Sequence, residues 1–217
     1  MPKNYILFDL DGTIIDPKEG ITKSVQYALA DFGIHAEADG LLHFIGPSLW
    51  DSFKQFYGFD AEQTKRAVAK YRERFTVTGI LENTLYDGMK ELLQALHDTG
   101  KTLIIATSKP AVFAERILAH YGIDQYFAFV SGSELDGRRS HKDELITYAF
   151  ENVPVGNLIN AVMIGDREFD IIGANQTGID SIGVLYGYGD LQELTDIGAT
   201  HIVQNVRDLH QLLLPRA

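Results

Sequence analysis

The chain has 217 residues, 45% of them apolar and 23% charged, with no cysteine and a formal net charge of −11. That length suffices for one or two domains with a substantial core. The acidic balance disfavours a nucleic-acid backbone or an anionic membrane as partner. It still admits an anionic substrate, because a bound metal can reverse the local sign. Without cysteine there is neither a disulfide framework nor thiolate chemistry. The start Met1-Pro2-Lys3-Asn4-Tyr5 lacks the basic and apolar regions of a signal peptide. No apolar run approaches the ~18 residues needed to span a bilayer, so a cytoplasmic location is expected.

In chain order, Tyr5 to Phe8 reads as a buried strand that delivers Asp9 at its carboxyl end, and Gly12 then turns the chain. In an extended segment Asp9 and Asp11 share a face, and two such carboxylates repel unless a proton or cation lies between them. A hard divalent metal with oxygen ligands is one answer; an Asp-Gly turn with an acidic neighbour is the bland one.

Beyond Asp16-Pro17 the strand-like runs stop. Residues 19–33 carry Ile21, Val25, Ala28, Leu29 and Phe32 at helical spacing. Residues 47–57 and 60–78 also read as helices, the first with Pro47 at its N1 position. From Asp87 onward helix and strand alternate. The expected helices are Met89 to His97, Ala111 to His120, Asp143 to Glu151, and about Phe169 to Gln176. The expected strands are Thr102 to Ala106, Phe127 to Val130, Ala161 to Ile164, Ile179 to Val184 and His201 to Val203. This alternation predicts an α/β fold with a doubly wound parallel sheet. Residues 1–15 and 84–217 form that core, and 16–83 form an all-helical insertion.

The expected strand ends carry further chemistry. Thr107-Ser108-Lys109-Pro110 follows the second core strand, where a hydroxyl and a helix start can bind an anion or simply cap the helix. Gly165-Asp166-Arg167-Glu168-Phe169-Asp170 places two carboxylates at a strand-to-helix junction, where acidic groups are also ordinary dipole partners. Arg138, Arg139 and Lys142 form the densest basic cluster, usually a solvated loop. The seven histidines form no zinc pattern, and among them His141 is the candidate to approach a site. Leu185-Tyr186-Gly187-Tyr188-Gly189 follows a strand and so could border the site, with a flexible surface loop as the first reading.

Taken together, Asp9-Leu10-Asp11-Gly12-Thr13, Thr107, Lys142 and Gly165-Asp166-x-x-x-Asp170 resemble the four ordered motifs of the haloacid dehalogenase superfamily, in its phosphatase branch. The insertion resembles that family's helical cap. Phe44-Ile45-Gly46-Pro47 resembles its phosphoglycolate phosphatase and 5′-nucleotidase-like members. The resemblance implies Asp9 as nucleophile and Asp11 as general acid and base. It implies Mg²⁺ on Asp9, the Asp11 carbonyl and Asp166, with Asp170 acting through a water or by orienting Asp166 and Lys142. Thr107, the Ser108 amide, Lys142, Gly12 and Thr13 would hold the phosphoryl group. Lys109 rivals Lys142 for the cationic role.

Substrate choice is expected in the cap, with Lys23, Gly46-Pro47-Ser48, Lys54, Arg72 and Arg74 as candidates beside their ordinary surface roles. Trp50, Phe53, Phe56 and Tyr57 are expected in the cap's core. The expected partner is a small phosphomonoester, with the chain a monomer or weak homodimer. A phosphosugar mutase of the same superfamily and a non-enzymatic phospho-receiver domain are the alternatives.

Overall fold

The structure is a computed structural model that describes residues 3–214. In chain order its elements are β1 (Tyr5–Phe8), β2 (Ile15–Asp16), α1 (Lys18–Ala30), α2 (Leu49–Tyr57), α3 (Ala61–Phe75), β3 (Thr84–Leu85) and α4 (Met89–Asp98). There follow β4 (Thr102–Pro110), α5 (Ala111–Tyr121), β5 (Phe127–Ser133), α6 (Lys142–Asn152), β6 (Ala161–Gly165) and α7 (Glu168–Thr177). The last are β7 (Asp180–Val184), α8 (Leu191–Asp196), β8 (His201–Val203) and α9 (Val206–Leu213). Two compact units result, one spanning Pro17–Thr84 and the other containing the sheet.

The sheet has six parallel strands in the order β5-β4-β1-β6-β7-β8. From β1 the chain winds outward to β4 and β5, then returns to β6 and winds the other way. In open α/β sheets ligands bind at such a reversal, outside the carboxyl ends of the strands. The apolar runs behave as buried parallel strands do, with both faces covered. On one face Leu7, Ile104 and Met163 pack with Leu145, Ile146 and Ala149 of α6 and Ala174 of α7. Removing each such aliphatic side chain from water stabilises the fold by about 1.5–3 kcal/mol. This core fixes β1, β4 and β6 side by side, so their carboxyl ends are neighbours.

The inserted unit packs α1, α2 and α3 around Val25, Leu29, Phe53, Val68, Tyr71 and Phe75, all buried. Phe53 stacks on Phe59 at 5.9 Å and meets the edge of Phe44 at 5.1 Å. Phe56, expected in this core, is instead 39% exposed. Pro47 is not the first helical residue. Ser48 caps α2, its Oγ accepting the Trp50 N–H at 3.2 Å, because a hydroxyl satisfies an orphan amide and a proline ring cannot. Helix α3 is opened by a reciprocal Asp60–Gln63 capping box.

The two ends of this unit are clasped together. The Gly20 N–H donates to the Glu82 carbonyl at 2.9 Å, and a Cβ on Gly20 would lie 2.1 Å from the Gly79 carbonyl oxygen. Arg74 holds the Glu82 carboxylate through both terminal nitrogens, at 2.7 and 2.9 Å, and also donates to Ser24 Oγ at 3.2 Å. Lys23 pairs with Glu19 and lies 3.8 Å from Glu82. Lys23 and Arg74 are therefore engaged inside their own unit, while Lys54 is exposed and Arg72 half-buried. Among the described residues no helix is long and apolar enough to cross a membrane.

Candidate active site

Strand β1 ends one residue before Asp9, and sheet pairing carries one step further, the Asp9 N–H donating to the Ile164 carbonyl at 2.9 Å. Asp9 is thereby fixed at the edge with only 2% of its surface exposed. Its Oδ1 accepts from the Leu10 amide at 2.7 Å and lies 2.8 Å from Lys142 Nζ. The turn that follows needs glycine on two counts. Gly12 has φ +82°, and a Cβ there would fall 2.2 Å from Asp166 Oδ2. Thr13 is fully buried, and its hydroxyl donates to Asp166 Oδ1 at 3.4 Å.

Asp166 and Asp170 arrive from β6 and the first turn of α7. Both are fully buried. Asp166 Oδ2 accepts from the Tyr188 amide at 2.8 Å, and Asp170 Oδ2 accepts from the Arg167 amide at 3.2 Å. One oxygen from each of Asp9, Asp166 and Asp170 lies within 4.8 Å of the others. Burial, then the neighbouring Asp170 and Asp9 charges, push the Asp166 carboxyl well above the ordinary range. Burial likewise pushes Asp170 up to about 6, although Lys142 pulls it back. Three buried carboxylates this close together form a donor set suited to a hard divalent cation.

Two lysines meet the carboxylates of this edge, Lys142 at Asp9 and Asp170 and Lys109 at Asp11. Lys142 is the first residue of α6, and its ammonium lies 2.7 Å from Asp170 Oδ1 and 2.8 Å from Asp9 Oδ1. It also donates to the Ala106 carbonyl at 2.9 Å. Burial alone would drive this ammonium toward neutrality, but Asp170 and Asp9 outweigh it and hold its pKa above the ordinary lysine value. Gly173 of α7 makes room for it, since a Cβ there would sit 2.4 Å from Lys142 Cβ.

Lys109 is the second, and solvent does not claim it. It is 9% exposed, and its Nζ lies 2.5 Å from Asp11 Oδ2. Burial raises the Asp11 pKa, and Lys109 offsets this only in part. Asp11 Oδ1 is buried without a hydrogen-bond partner among the described residues. Asp11 is therefore a carboxyl with one oxygen anchored and the other open.

Strand β4 does not stop at Ala106. It runs on to Pro110, so Thr107 and Lys109 share one face of an extended segment. Thr107 is buried, and its hydroxyl accepts from the Lys109 amide at 3.3 Å. Ser108 is pinned from two directions, its Oγ donating to the Ser140 carbonyl and its own carbonyl accepting from Ser133 Oγ, each at 2.8 Å. The basic cluster divides. Arg138 pairs with Asp136 at 2.8 Å, while Arg139 pairs with Glu134 at 2.5 Å and stacks over Tyr148 at 3.6 Å. His141 is exposed at the N-cap of α6.

Sequence reasoning undervalued two features. The Lys109–Asp11 pair had a usable signal, the period of two that puts Lys109 on the face of Thr107. The Leu185–Gly189 segment, expected as a surface loop, borders the carboxylates. Besides the Tyr188 amide on Asp166, the Tyr186 hydroxyl donates to the Thr13 carbonyl at 3.0 Å. A Cβ on Gly187 or Gly189 would collide with Asp166, at 2.4 Å from its Cβ and 2.0 Å from its carbonyl oxygen. Paired glycines after a strand were the signal for close backbone approach.

Comparison with known proteins agrees with this geometry. Residues 6–184 match the family model described as haloacid dehalogenase-like hydrolase. The chain is 49% identical over 209 residues to a 5′-nucleotidase of Pseudomonas aeruginosa, covering 96% of this chain and 94% of that protein. It is 34% identical to the tyrosine-protein kinase PtkA of Mycobacterium tuberculosis, covering 95% of this chain and 70% of that one. The crystal structure of a predicted phosphatase from Clostridium acetobutylicum superposes with a TM-score of 0.96 at 46% identity, with both chains covered completely. The chain belongs to the haloacid dehalogenase-like hydrolases, as one of that family's phosphatases.

Proposed function

We propose that the protein hydrolyses small phosphate monoesters, 5′-nucleotides foremost, through a phosphorylated Asp9. The observation that carries the reading is the division of labour between Asp9 and Asp11. Asp9 is held in place by the ammonium of Lys142 and the Leu10 amide, both on its Oδ1, which leaves Oδ2 for attack on phosphorus. Asp11, two residues on, has its pKa raised by burial, which favours a carboxyl with a proton to give. Nucleotides lead because the P. aeruginosa relative carries that name.

In the first step an oxygen of Asp9 bonds to phosphorus, the ester P–O bond breaks, and Asp11 gives its proton to the departing alkoxide. In the second, Asp11 takes a proton from water, the water oxygen attacks phosphorus, and the Asp9–phosphorus bond breaks to release phosphate. Oδ1 of Asp9 is occupied by Leu10 and Lys142, which assigns the attack to Oδ2. Thr107, the Ser108 amide and Lys142 would hold the phosphoryl oxygens. The bond from Ser133 Oγ to the Ser108 carbonyl, with that from Ser108 Oγ to the Ser140 carbonyl, keeps residue 108 from reorganising during reaction. Asp9, Asp166 and the Asp11 carbonyl would hold Mg²⁺, with Asp170 orienting Lys142 and the ligands. The ion would offset negative charge on the transferring group.

The test is phosphate release from a panel of 5′-mononucleotides, phosphoglycolate, sugar phosphates, pyrophosphate and a phosphotyrosine peptide, with Mg²⁺ and with EDTA. Release from small monoesters that EDTA abolishes is the expected result. Absence of release from folded, Mg²⁺-loaded protein would refute it. A bisphosphate requirement would then point to a mutase, and stable phosphorylation without turnover to a receiver. Transfer to a tyrosine peptide from a phosphorylated Asp9 would point to a kinase.

The carboxylates give a second expectation. Asp166 and Asp170 keep protons in the folded, cation-free protein at pH values where the unfolded chain has lost them. The folded state then binds more protons, so this pair's contribution to stability falls as pH rises through about 6. A cation that binds the deprotonated oxygens reverses that trend. Thermal unfolding should show Mg²⁺ raising Tm more at pH 7.5 than at pH 5; an equal rise at both would count against cation binding by this cluster.

A further inference from the structure

We propose that Tyr188 couples cation occupancy of the carboxylate cluster to the order of the Ile15–Asp16 segment, acting as a positioning residue. The inference rests on the cation reading given above and deepens it. Tyr188 makes two contacts at opposite ends of its own structure. Its amide donates to Asp166 Oδ2 at 2.8 Å, while its phenol donates to Asp16 Oδ1. Asp166 is one of the three clustered carboxylates, and Asp16 is the last residue before the inserted unit begins at Pro17.

The loop has little freedom to absorb movement between these contacts. Gly187 and Gly189 press their backbone directly on Asp166, with no room for a Cβ at either position. A parallel tether reinforces the link. The Tyr186 hydroxyl donates to the Thr13 carbonyl, and the Thr13 hydroxyl donates to the other oxygen of Asp166. Tyr86 meets the edge of the Tyr186 ring at 4.8 Å, and its amide donates to the Ile14 carbonyl at 3.1 Å. Residues 13–16 are therefore tied to the Asp166 carboxylate through two phenols on one loop. When Asp166 turns an oxygen toward a cation, the Tyr188 amide must follow it. The phenol transmits that adjustment to Asp16. By linkage, whatever occupancy does to the segment, the segment does to the affinity.

The experiment uses full-length protein with Mg²⁺ alone, without substrate. Affinity is read by calorimetry, and order by hydrogen exchange of amides 13–16 in the cation-free and loaded states. In the wild type, Mg²⁺ should slow exchange of these amides roughly fivefold or more. Tyr188→Phe keeps the ring and the amide on Asp166 but lacks the phenol donor. It should still bind Mg²⁺, roughly fivefold more weakly, and lose the Mg²⁺-dependent protection. Asp16→Ala should behave likewise, and it carries the test if Tyr188→Phe fails to fold. Asp16→Asn retains a carbonyl acceptor and should restore the protection, which a loss of packing alone does not predict. Full protection and unchanged affinity in Tyr188→Phe would overturn the coupling. A wild type that binds Mg²⁺ without protecting the segment would overturn it while leaving the cation reading intact. A wild type that binds no cation would overturn both.

Discussion

Asp9→Asn should reduce kcat by about four orders of magnitude or more while leaving the fold in place. The substituted side chain keeps an oxygen where Asp9 Oδ1 accepts from the Leu10 amide and meets Lys142, so the local hydrogen bonds survive. It loses the anionic oxygen that attacks phosphorus and one of the three clustered carboxylates. Because one like charge leaves a crowded acidic site, thermal stability without cation should be unchanged or slightly higher. Asp11→Asn makes the informative contrast. It leaves the backbone carbonyl at residue 11 and the Asp9 nucleophile in place but removes the proton donor and acceptor. Mg²⁺ binding should persist while both proton transfers are suppressed. Steady-state phosphate release beside Mg²⁺ titration checks the pair, and a wild-type rate from either variant would break the assignment.

The second large effect concerns Lys142. In Lys142→Met a buried ammonium that bridges Asp9 and Asp170 is gone. Two buried carboxylates then face each other without compensation. Removing one partner from a buried ion pair costs about 3–5 kcal/mol, which for a chain of this size lowers Tm by about 10 °C. Mg²⁺ should recover part of that loss, because it supplies positive charge to the same oxygens. The loss of kcat should be about a hundredfold to a thousandfold and should persist in saturating Mg²⁺, since the phosphoryl oxygens still lack their cationic contact. Lys142→Arg should rescue little. Gly173 already lies against the Lys142 side chain, and the planar guanidinium needs more room than a point-charge ammonium. A variant with wild-type Tm and kcat would refute the role.

Much of this site is legible without coordinates because its chemistry sits at strand ends. An apolar run of strand length ending in Asp9, and another ending in Gly165-Asp166, announce their position through hydrophobic pattern alone. Whether those ends are adjacent depends on strand order, which the helix–strand alternation implies through right-handed crossovers. Other features are set by tertiary contacts that no local pattern encodes. The Lys109 ammonium meets Asp11 across two neighbouring strands. The Tyr188 amide meets Asp166 only because β6 and β7 pair in register. Helix ends moved for the same kind of reason. A proline ring suits the φ of a first helical residue, yet Ser48 offers a hydroxyl acceptor and is the cap. The last helix, α9, lies beyond the final strand, where the alternation gave no further expectation.

The clasp that ties Gly20 to Glu82 has a kinetic consequence. Strand β1 must find β4 across more than ninety intervening residues, a separation that slows pairing through loop-closure entropy. If the helical unit forms first, the Gly20–Glu82 hydrogen bond removes most of that chain from the closing loop. Reducing the effective loop to about a third of its length saves about 1 kcal/mol of closure entropy. The insertion then acts as a splint during synthesis. It folds on local contacts and presents the two halves of the sheet to one another as though they were close in sequence.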